Sequence, residues 1–482
     1  MGVKWGESAG RRFLHEKGYA PPRILLTNLG VFHILAFGKI EVWTGNRALC
    51  SRQEAIAKAD SSRSVQAEIG KNRAQVKPRK LSQFPYFVFL LALFLRVFYA
   101  ASIGERIYWD DDNYLLWASR IVETGGRDVN TLVPPGQTLF LAGVELLPGS
   151  TVVNARLLQS LLGALTVLFL YFIGKILLGV TAARLSSFVA ALYPFLVYIS
   201  SALIPQCIFA FLLASAFVLL VLSGEKRRPS LLIPSGISFG LSALFVPLIL
   251  PVMPAFALWL MISDRIRIRK RLVNVLILTV FTTLPVFLWG MRNYVVEGKF
   301  IPIARMGARA FFAANNPLAT AEKTSMEERS KMFTPDMMQE IARSREGSAV
   351  ADSVYMERTK RFVRENPQKF ISLCAKRFVY FFDLYPSTFS KNPHTGKLYK
   401  AVSVVSFTPV LVFSLLGTLL LGRRWRKMFI VVLVPLLFAL FHSFFTTSVR
   451  YRIPVEPYMI LLASCGFLSL LAYFGFRSRD FS

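Results

Sequence analysis

The feature that most constrains the fold of this chain is the clustering of its apolar residues into blocks of bilayer-spanning length. The blocks run for about 16 to 24 residues, and about 20 apolar residues are needed to cross the hydrocarbon core of a membrane. The 482-residue chain is 54% hydrophobic and 18% charged, whereas a soluble protein of this length is about a quarter charged. The sequence therefore predicts an all-α polytopic membrane protein.

About ten blocks are long enough to be transmembrane helices, and the charge of the loops between them supports this number. The predicted spans lie at 84–102, 155–178, 182–203, 205–223, 230–247, 249–264, 272–291, 399–421, 428–446 and 455–475. The strongly basic loops 224–230, 263–271 and 422–428 then fall on the same side as the N-terminus. The positive-inside rule assigns that side to the cytoplasm.

This topology divides the chain into four regions and places two long loops on the outer side. The first region is a basic, partly disordered cytoplasmic tail (1–82), and the second is a transmembrane catalytic module (83–291) that contains the first outer loop (103–154). The third is a second outer loop or subdomain (292–398), and the fourth contains the last transmembrane helices and a short cytoplasmic tail (399–482). Amphipathic stretches in these loops predict helices that lie along the membrane surface. A small helical subdomain explains the stretch at 354–366 equally well.

The net charge of +29 does not by itself indicate a nucleic-acid partner. Much of the basic excess lies in the N-terminal tail and in the short loops, where membrane topology accounts for it. The basic second outer loop suits anionic lipid or phosphate partners. The four cysteines and four histidines are too widely separated to form a metal site or a disulfide framework.

Three adjacent carboxylates, Asp110, Asp111 and Asp112, follow the first apolar block. Their mutual repulsion is relieved only by a cation or by protonation. One of them is placed to cap a helix, whose next turns present one face made of Tyr114, Trp117 and Ala118. Two interpretations stay open on this evidence: a solvated cap at a membrane surface, or a site that holds a carboxylate rigidly.

The second outer loop opens with residues that could bind a substrate. Arg292 and Asn293 lie at the end of a span, and a short hairpin is predicted around Glu297–Gly298. Asn315 and Asn316 precede a proline, which is a turn signature. The turn alone would explain both asparagines, and Arg292 alone would be explained as an arginine that reaches to the membrane interface.

A third outer segment carries Arg450 and Arg452 on either side of Tyr451, just before the last span. Arginines on the outer side oppose the positive-inside trend and need another reason. A pair of guanidinium groups is well suited to bind a phosphate.

Carboxylates on one outer loop and cations on two others are what displacement of a phosphate-linked group by a hydroxyl requires. A carboxylate accepts the hydroxyl proton as a general base. Arginines neutralise the charge that develops on the leaving phosphate. A phosphate leaving group needs no general acid, so one catalytic carboxylate is enough.

Several motifs occur in an order that resembles one family. An acidic pair is followed by Tyr114, four residues after Asp110, and the later motifs are VPPG (133–136), RLLQSLLG (156–163), ALYP (191–194), Trp289 through Pro302, NNP (315–317) and Arg450 through Pro457. Over about 84–475 the chain resembles the multi-spanning glycosyltransferases of the C superfamily. These include the dolichyl-phosphate-mannose protein mannosyltransferases and the lipid A aminoarabinose transferases.

The resemblance implies that the protein moves a sugar from a polyprenyl-phosphate donor to a protein, lipid or glycan acceptor, with inversion at the anomeric carbon. It implies Asp110 as the catalytic acid residue and Asp111 as the second one, while Asp112 has no implied role. The candidate substrate-binding residues are Tyr114, Gln206, Arg292, Asn293, Asn315, Asn316, Arg450, Tyr451 and Arg452. A divalent cation held by Asp110 and Asp111 is the one cofactor that the carboxylates suggest.

Two positions depart from the family pattern. Gln206 stands where many relatives carry a glutamate, and 244–250 lacks an arginine that is common near the end of span five. An amide can donate a hydrogen bond to a sugar but cannot act as a base. These departures concern the identity of the donor sugar more than the type of reaction.

The active site is predicted on the outer face of the cytoplasmic (inner) membrane. A transporter or flippase of a lipid-linked or anionic substrate is the alternative function, but transporters carry ionisable groups at mid-membrane depth. The predicted spans are nearly free of charge, and His442 is the main titratable residue within one. A polymerase or ligase of surface polysaccharide is a second alternative, against which the acidic first loop argues.

Overall fold

The computed structural model describes residues 83–107, 111–263, 266–321, 331–343, 348–385 and 396–475. The predicted tail at 1–82 and the candidate catalytic residue Asp110 lie outside these ranges. Every regular element within them is a helix, and they contain no strand. The all-α prediction is therefore confirmed.

The helices are described here in chain order. The first group is α1 (Phe84–Ile103), α2 (Asp111–Glu123), α3 (Gly136–Glu145), α4 (Thr151–Leu177), α5 (Val180–Leu192), α6 (Pro194–Ile199), α7 (Gln206–Glu225), α8 (Leu232–Ala243) and α9 (Met253–Ser263). The second group is α10 (Ile268–Glu297), α11 (Met306–Ala314), α12 (Pro335–Arg343), α13 (Ser348–Glu365), α14 (Pro367–Tyr380), α15 (Gly396–Leu419), α16 (Trp425–Ser443), α17 (Val449–Arg452) and α18 (Glu456–Tyr473). Short 3₁₀ turns precede α8, α9, α16 and α18 at Pro229–Leu231, Pro247–Val252, Gly422–Arg424 and Ile453–Val455.

Seven helical segments in the described part of the chain are long and apolar enough to cross a membrane. They are α1, α4, α7, α10, most of α15, α16 and the continuous segment Val449–Tyr473 that joins α17 to α18. These segments match seven of the predicted spans. The chain is therefore a multi-pass membrane protein, as its sequence predicts.

The other three predicted spans correspond to shorter helices, and prolines explain two of the interruptions. The predicted span 182–203 is divided into α5 and α6 at Pro194, which occupies the first turn of α6. The predicted span 249–264 begins as a 3₁₀ turn that contains Pro251 and continues as α9. A proline removes a backbone donor and clashes with the preceding turn, so it interrupts or kinks a helix.

The core of the transmembrane bundle is formed by apolar side chains and by close contacts between small residues. Gly417 of α15 and Gly466 of α18 face each other: a Cβ at Gly417 would lie 2.0 Å from the Leu462 carbonyl oxygen, and one at Gly466 would lie 2.2 Å from that of Phe413. Because lipid gives little hydrophobic drive to helix association, such close backbone packing is a main source of its stability.

The two predicted outer loops have small apolar cores of their own. In the first loop, α2 and α3 pack together through buried residues that include Ala118, Leu141 and Val144. In the second loop, α11, α12 and α13 surround a cluster that includes Phe312, Met337 and Tyr355. The amphipathic stretch at 354–366 therefore forms part of a small helical cluster.

Two details of the sequence analysis are wrong. The hairpin predicted around Glu297–Gly298 is absent from the described residues, because α10 extends to Glu297 and Gly298 ends it in the left-handed conformation at φ 67°. The spans are also less free of charge than predicted. Arg96 of α1 and Glu456 of α18 lie inside predicted spans, and both are buried.

Candidate active site

The candidate residues converge on one end of the helical bundle, which we call the site end. It is the end at which α1, α6, α8, α10 and α16 terminate and at which α4 and α7 begin. Gly136 at the start of α3 donates its N–H to the Leu244 carbonyl just beyond α8 at 2.9 Å. Arg292 near the end of α10 donates to the Arg127 carbonyl in the first outer loop at 3.3 Å. These two bonds fasten the first predicted outer loop to this end of the bundle.

Asp111 is the first residue of α2, and its side chain is 1% exposed. The N-terminus of a helix favours a negative charge, because the unpaired N–H groups of the first turn point toward it. Asp112, the next residue, is exposed to solvent. Asp111 is thus a buried carboxylate at the start of α2 and Asp112 beside it is solvated, while the catalytic role of Asp111 stays a prediction.

Tyr114 lies one turn further along α2 and packs against its neighbour Trp117. The two rings meet edge to face with their centroids 5.7 Å apart. Ala118 is fully buried on the same face, which confirms the predicted face of this helix. The face fixes the rotation of α2 about its axis, and with it the direction in which the side chain at its N-terminus points.

The segment that leads from α1 toward the aspartates is held by Arg156, near the start of α4. Its guanidinium group is 1% exposed and donates to the carbonyl oxygens of Gly104, Arg106 and Ser201. The bond to Ser201 measures 2.9 Å. Arg156 therefore joins the end of α1 to the turn that follows α6.

Arg450 approaches the same region from the segment before the last span. Its side chain is half-buried, donates to the Tyr451 hydroxyl at 3.0 Å and lies over that ring at 4.9 Å from its centroid. The Tyr198 hydroxyl near the end of α6 interacts electrostatically with both Asp111 and Arg450. A candidate base and a candidate phosphate ligand thus influence one hydroxyl group at the site end.

Tyr451 is positioned by an aromatic contact with His442. The two rings stack with centroids 4.9 Å apart, and the His442 Nδ1 atom lies 2.8 Å from the Phe438 carbonyl oxygen. His442 is 3% exposed. The histidine singled out by the sequence is therefore a packing residue beneath Tyr451 and Arg450.

Arg452 differs sharply from Arg450 in its surroundings. It is fully buried, forms an ion pair with Glu456 at 2.5 Å and donates to the carbonyl oxygens of Phe381 and Asp383. Its guanidinium also lies 3.4 Å from the centroid of the Phe407 ring. With these contacts Arg452 has the geometry of a structural residue, and the geometry does not favour the direct phosphate contact predicted for it.

Arg292 and Asn293 form a small network at the end of α10. Arg292 donates to the Asn293 side-chain oxygen at 3.2 Å and stacks on Trp289 with its guanidinium 5.2 Å from the ring centroid. Asn293 is fully buried and donates to the Ile301 carbonyl at 2.8 Å. Asn293 thus holds the chain as it turns after α10, while Arg292 stays half-buried at the site end.

Asn315 and Asn316 are occupied by the turn that follows α11. Asn316 donates to the Phe312 carbonyl and accepts from the Leu318 N–H, at 3.0 and 2.9 Å. Asn315 donates to the Phe444 carbonyl at 2.8 Å and accepts from Arg377 at 3.0 Å. These contacts give both asparagines the turn role that the sequence left open, and their part in substrate binding stays a prediction.

Gln206 begins α7 and is 5% exposed. Within the described part of the chain its side-chain oxygen has no hydrogen-bond partner. The next residue, Cys207, contacts the Gln159 carbonyl at 3.3 Å, and Gln159 donates to the Ala202 carbonyl at 2.7 Å. Gln206 is thus next to a buried polar layer beneath the site end, and its contact with the donor sugar stays a prediction.

The structure offers limited support for a metal ion. Among the described residues, no group of three or more His, Cys, Asp or Glu side chains is arranged to hold one. Asp110 is not among those residues. A cation shared by Asp110 and Asp111 therefore stays a prediction.

Two buried arginines, Arg156 and Arg377, were not predicted as functional residues, and the sequence contained a signal only for Arg156. Arg156 and Gln159 belong to the motif RLLQSLLG, whose polar pair recurs one turn apart inside an apolar helix. Arg377 of α14 is 1% exposed and donates to the carbonyls of Ala314 and Ser443 as well as to Asn315. It lies in a basic stretch, where its burial could not be distinguished from the exposure of its neighbours.

The comparison with protein families supports the resemblance. The family model for dolichyl-phosphate-mannose-protein mannosyltransferases matches residues 133–289. This segment runs from the VPPG motif through α3 to α10 and includes the polar residues Arg156, Gln159 and Gln206. No curated protein sequence matches the chain.

The chain is similar to several solved structures at low sequence identity. The archaeal oligosaccharyltransferase AglB from Archaeoglobus fulgidus, in complex with an inhibitory peptide and a dolichol-phosphate, is 16% identical with a TM-score of 0.49, over 83% of this chain and 53% of that one. The same organism's oligosaccharyltransferase with Zn and sulfate is 14% identical with a TM-score of 0.48, over 82% and 50%. ArnT from Cupriavidus metallidurans bound to undecaprenyl phosphate is 13% identical with a TM-score of 0.40, over 81% and 79%. The chain spans about half the length of the archaeal enzymes.

Proposed function

We propose that this multi-pass membrane protein is a glycosyltransferase of the C superfamily, and that it moves a sugar from a polyprenyl-phosphate donor to an acceptor hydroxyl on the outer face of the cytoplasmic membrane. The match to the mannosyltransferase family model over residues 133–289 supports the reaction class. The observation that carries the proposal is that Asp111, buried at the start of α2, and Arg450, half-buried beside Tyr451, lie at the same end of the bundle. A base and a phosphate ligand are needed within one site for this reaction.

In the proposed step, an acceptor hydroxyl gives its proton to the carboxylate of Asp110 or Asp111 and attacks the anomeric carbon of the donor sugar. The bond from that carbon to the phosphate oxygen breaks as the new bond to the acceptor oxygen forms. The electron pair stays on the leaving polyprenyl phosphate, and the configuration at the anomeric carbon inverts. Arg450 and Arg292 neutralise the charge that accumulates on the phosphate.

The experiment that tests the proposal measures transfer from radiolabelled polyprenyl-phosphate sugars in membranes that contain the overexpressed protein. Asp110→Asn and Asp111→Asn are compared with Asp112→Asn, a matched control because Asp112 is the exposed neighbour. We expect loss of the general base to lower transfer by about 10²- to 10⁴-fold, and the control to transfer at the wild-type rate.

Full transfer by both Asp110→Asn and Asp111→Asn would refute the general-base assignment. Absence of transfer from every donor tested, with the protein shown to be folded, would refute the enzyme itself. The alternative function is transport of a lipid-linked or anionic substrate. The buried Arg96 inside α1 would then support it, because transporters carry ionisable groups within their spans. Flux of the labelled lipid across sealed vesicles measures that function directly.

A further inference from the structure

A polar cleft of about 230 Å³ lies beside α2 and is separate from the candidate catalytic and phosphate-binding side chains. Three parts of the chain contribute to it. They are α2, the loop that follows it and the end of α10, with the side chains of Trp117, Arg120, Asp128, Asn130, Thr131 and Glu297. None of these six side chains is a candidate catalytic or phosphate-binding residue.

The Glu297 side chain at the edge of the cleft is held in place by hydrogen bonds to both of its carboxylate oxygens. One carboxylate oxygen accepts a hydrogen bond from the Thr131 hydroxyl at 3.0 Å, and the other accepts from Arg305 at 3.3 Å. The backbone N–H groups of Arg305 and Met306 also donate to carbonyls of the first outer loop, at 3.0 and 2.9 Å. The cleft is therefore a junction at which the two predicted outer loops are bonded together.

We propose that this cleft binds a sugar ring of a glycan acceptor. Sugars present many hydroxyl groups, and the carboxylate, amide and guanidinium groups of the lining provide both acceptors and donors for them. The half-buried Trp117 offers an apolar ring with enough area to pack against the C–H face of a sugar. This inference rests on the proposed function and specifies its acceptor.

Charge and polarity distinguish this ligand from the donor. The cleft has two carboxylates, Asp128 and Glu297, and one lining guanidinium, Arg120, while Arg305 is paired with Glu297 from outside the lining. The cleft thus has no excess of positive charge and favours a neutral or amino sugar over a phosphate. Its lining is mostly polar, which does not suit a polyprenyl chain. Trp117 follows Asp111 by six residues on one helix, so it lies roughly 9 Å along the helix axis from that carboxylate.

The test is direct binding of free sugars to the purified full-length protein in lipid nanodiscs, measured by saturation-transfer NMR on the sugar signals. The probes are glucose, mannose, galactose, glucosamine and galacturonic acid at millimolar concentration. The variants are Trp117→Ala and Asp128→Asn, the second of which changes an exposed side chain and is safe for folding. Trp425→Ala and Glu225→Gln are matched controls, because both residues lie on helices outside the cleft.

We expect at least one neutral or amino sugar to bind to the wild-type protein and more strongly than galacturonic acid. Trp117→Ala should weaken that binding at least fivefold. Asp128→Asn should reduce the difference in affinity between the neutral or amino sugar and galacturonic acid. Both controls should bind the sugars as the wild type does. The inference is overturned if none of the five sugars binds, or if Trp117→Ala binds as well as Trp425→Ala.

Release of the donor sugar to water separates this inference from the proposed function, because that reaction uses no glycan. If the cleft fails the binding test but Asp110 or Asp111 is still required for donor hydrolysis, the glycan acceptor is refuted and the enzyme stands. If hydrolysis is independent of both aspartates, the proposed function fails, whatever the sugars do at the cleft.

Discussion

At the scale of single residues, two arginines that are two positions apart have different surroundings. Arg452 is completely buried, and its guanidinium group forms an ion pair with Glu456 and donates hydrogen bonds to two carbonyl oxygens. Arg450 is half-buried beside Tyr451. Breaking one side of a buried ion pair leaves an uncompensated charge, which costs about 3 to 5 kcal/mol. A half-buried arginine costs far less to remove.

Substitution of Arg450 should therefore lower activity, whereas substitution of Arg452 should lower stability. We expect Arg450→Ala to fold normally and to lose about 10²-fold in transfer, as removal of a single electrostatic ligand does. We expect Arg452→Ala to lower the thermal stability of the protein in detergent and the amount that is recovered from membranes. Equal thermal stability of the two variants would contradict this distinction.

Arg156 is expected to act on the reaction through the backbone that it holds. Lysine keeps its charge but cannot donate to three carbonyl oxygens in the fixed geometry of a guanidinium group. We expect Arg156→Lys to lower kcat for transfer about tenfold or more and to leave the donor KM unchanged, because displacement of a catalytic group by about 1 Å is sufficient for a larger loss.

A second readout separates this positioning role from a contact with the donor. Trypsin should cleave after Arg106 faster in Arg156→Lys than in the wild type, because the carbonyl of Arg106 has lost its donor. An increase in donor KM with unchanged cleavage at Arg106 would instead indicate that Arg156 binds the phosphate.

The residue scale also shows what the sequence could and could not predict. The aspartates, Arg292 and Arg450 could be predicted as candidates because carboxylates beside a predicted span and arginines on its predicted outer side are uncommon and have limited chemistry. The burial of Arg452 was not predictable, since two arginines around one tyrosine look equivalent until α17 fixes their directions. The partners of Asn315 were hidden for the same reason, because one of them, Arg377, is 62 residues away in the chain.

At the scale of elements, the apolar blocks predicted where the long helices lie. They did not predict that three of the blocks form shorter helices, although Pro194 and Pro251 are visible in the sequence. Length and hydropathy are average properties of a segment, whereas a proline acts at one peptide bond. The pairing of helices was also hidden, because small residues are not conspicuous in an apolar block.

The crossing of α15 and α18 gives a test at this scale. A Cβ at Gly417 would lie 2.0 Å from the Leu462 carbonyl oxygen, so Gly417→Ala must push the two helices apart. We expect it to lower stability by about 1 to 3 kcal/mol, the usual cost of overpacking. Gly143→Ala in α3 is the control, since a Cβ there would meet nothing within 4 Å, and alanine should raise helix stability by about 0.5 to 1 kcal/mol.

Thermal unfolding of both variants in the same detergent measures the difference. We expect the midpoint of Gly417→Ala to fall and that of Gly143→Ala to stay equal or rise. A midpoint for Gly417→Ala at or above that of the wild type would mean that α15 and α18 do not approach each other this closely.

At the scale of the whole molecule, the second outer loop is fastened to the bundle by buried polar contacts. Arg377 of α14 contacts the Asn315 turn and the Ser443 carbonyl at the end of α16, while Arg452 contacts the carbonyls of Phe381 and Asp383 just after α14. Burial lowers the pKa of the Arg377 guanidinium from its usual value. These bonds place the loop on the site end, where the acceptor of the proposed reaction would enter.

The orientation of the molecule in the membrane is the prediction that connects all three scales. Helix α7 runs 20 residues from Gln206 at the site end to the basic loop at Arg227, a length of about 30 Å, which is the thickness of a bilayer core. Arg364 lies in α13 of the second outer loop. The positive-inside rule places the loop of Arg227 in the cytoplasm, so Arg364 should be on the other side.

We therefore expect Arg227→Cys and Arg364→Cys, both at exposed positions, to react with a membrane-impermeant maleimide from opposite sides. In a version whose four native cysteines are replaced, sealed right-side-out vesicles should label Arg364→Cys at once and Arg227→Cys only after permeabilisation. Retained transfer by the cysteine-free version is the control for folding. Labelling of both variants from the same side would show that Arg227 and Arg364 do not lie on opposite sides of the membrane. Reversed labelling would place the aspartates in the cytoplasm, where an outer-face acceptor cannot reach them.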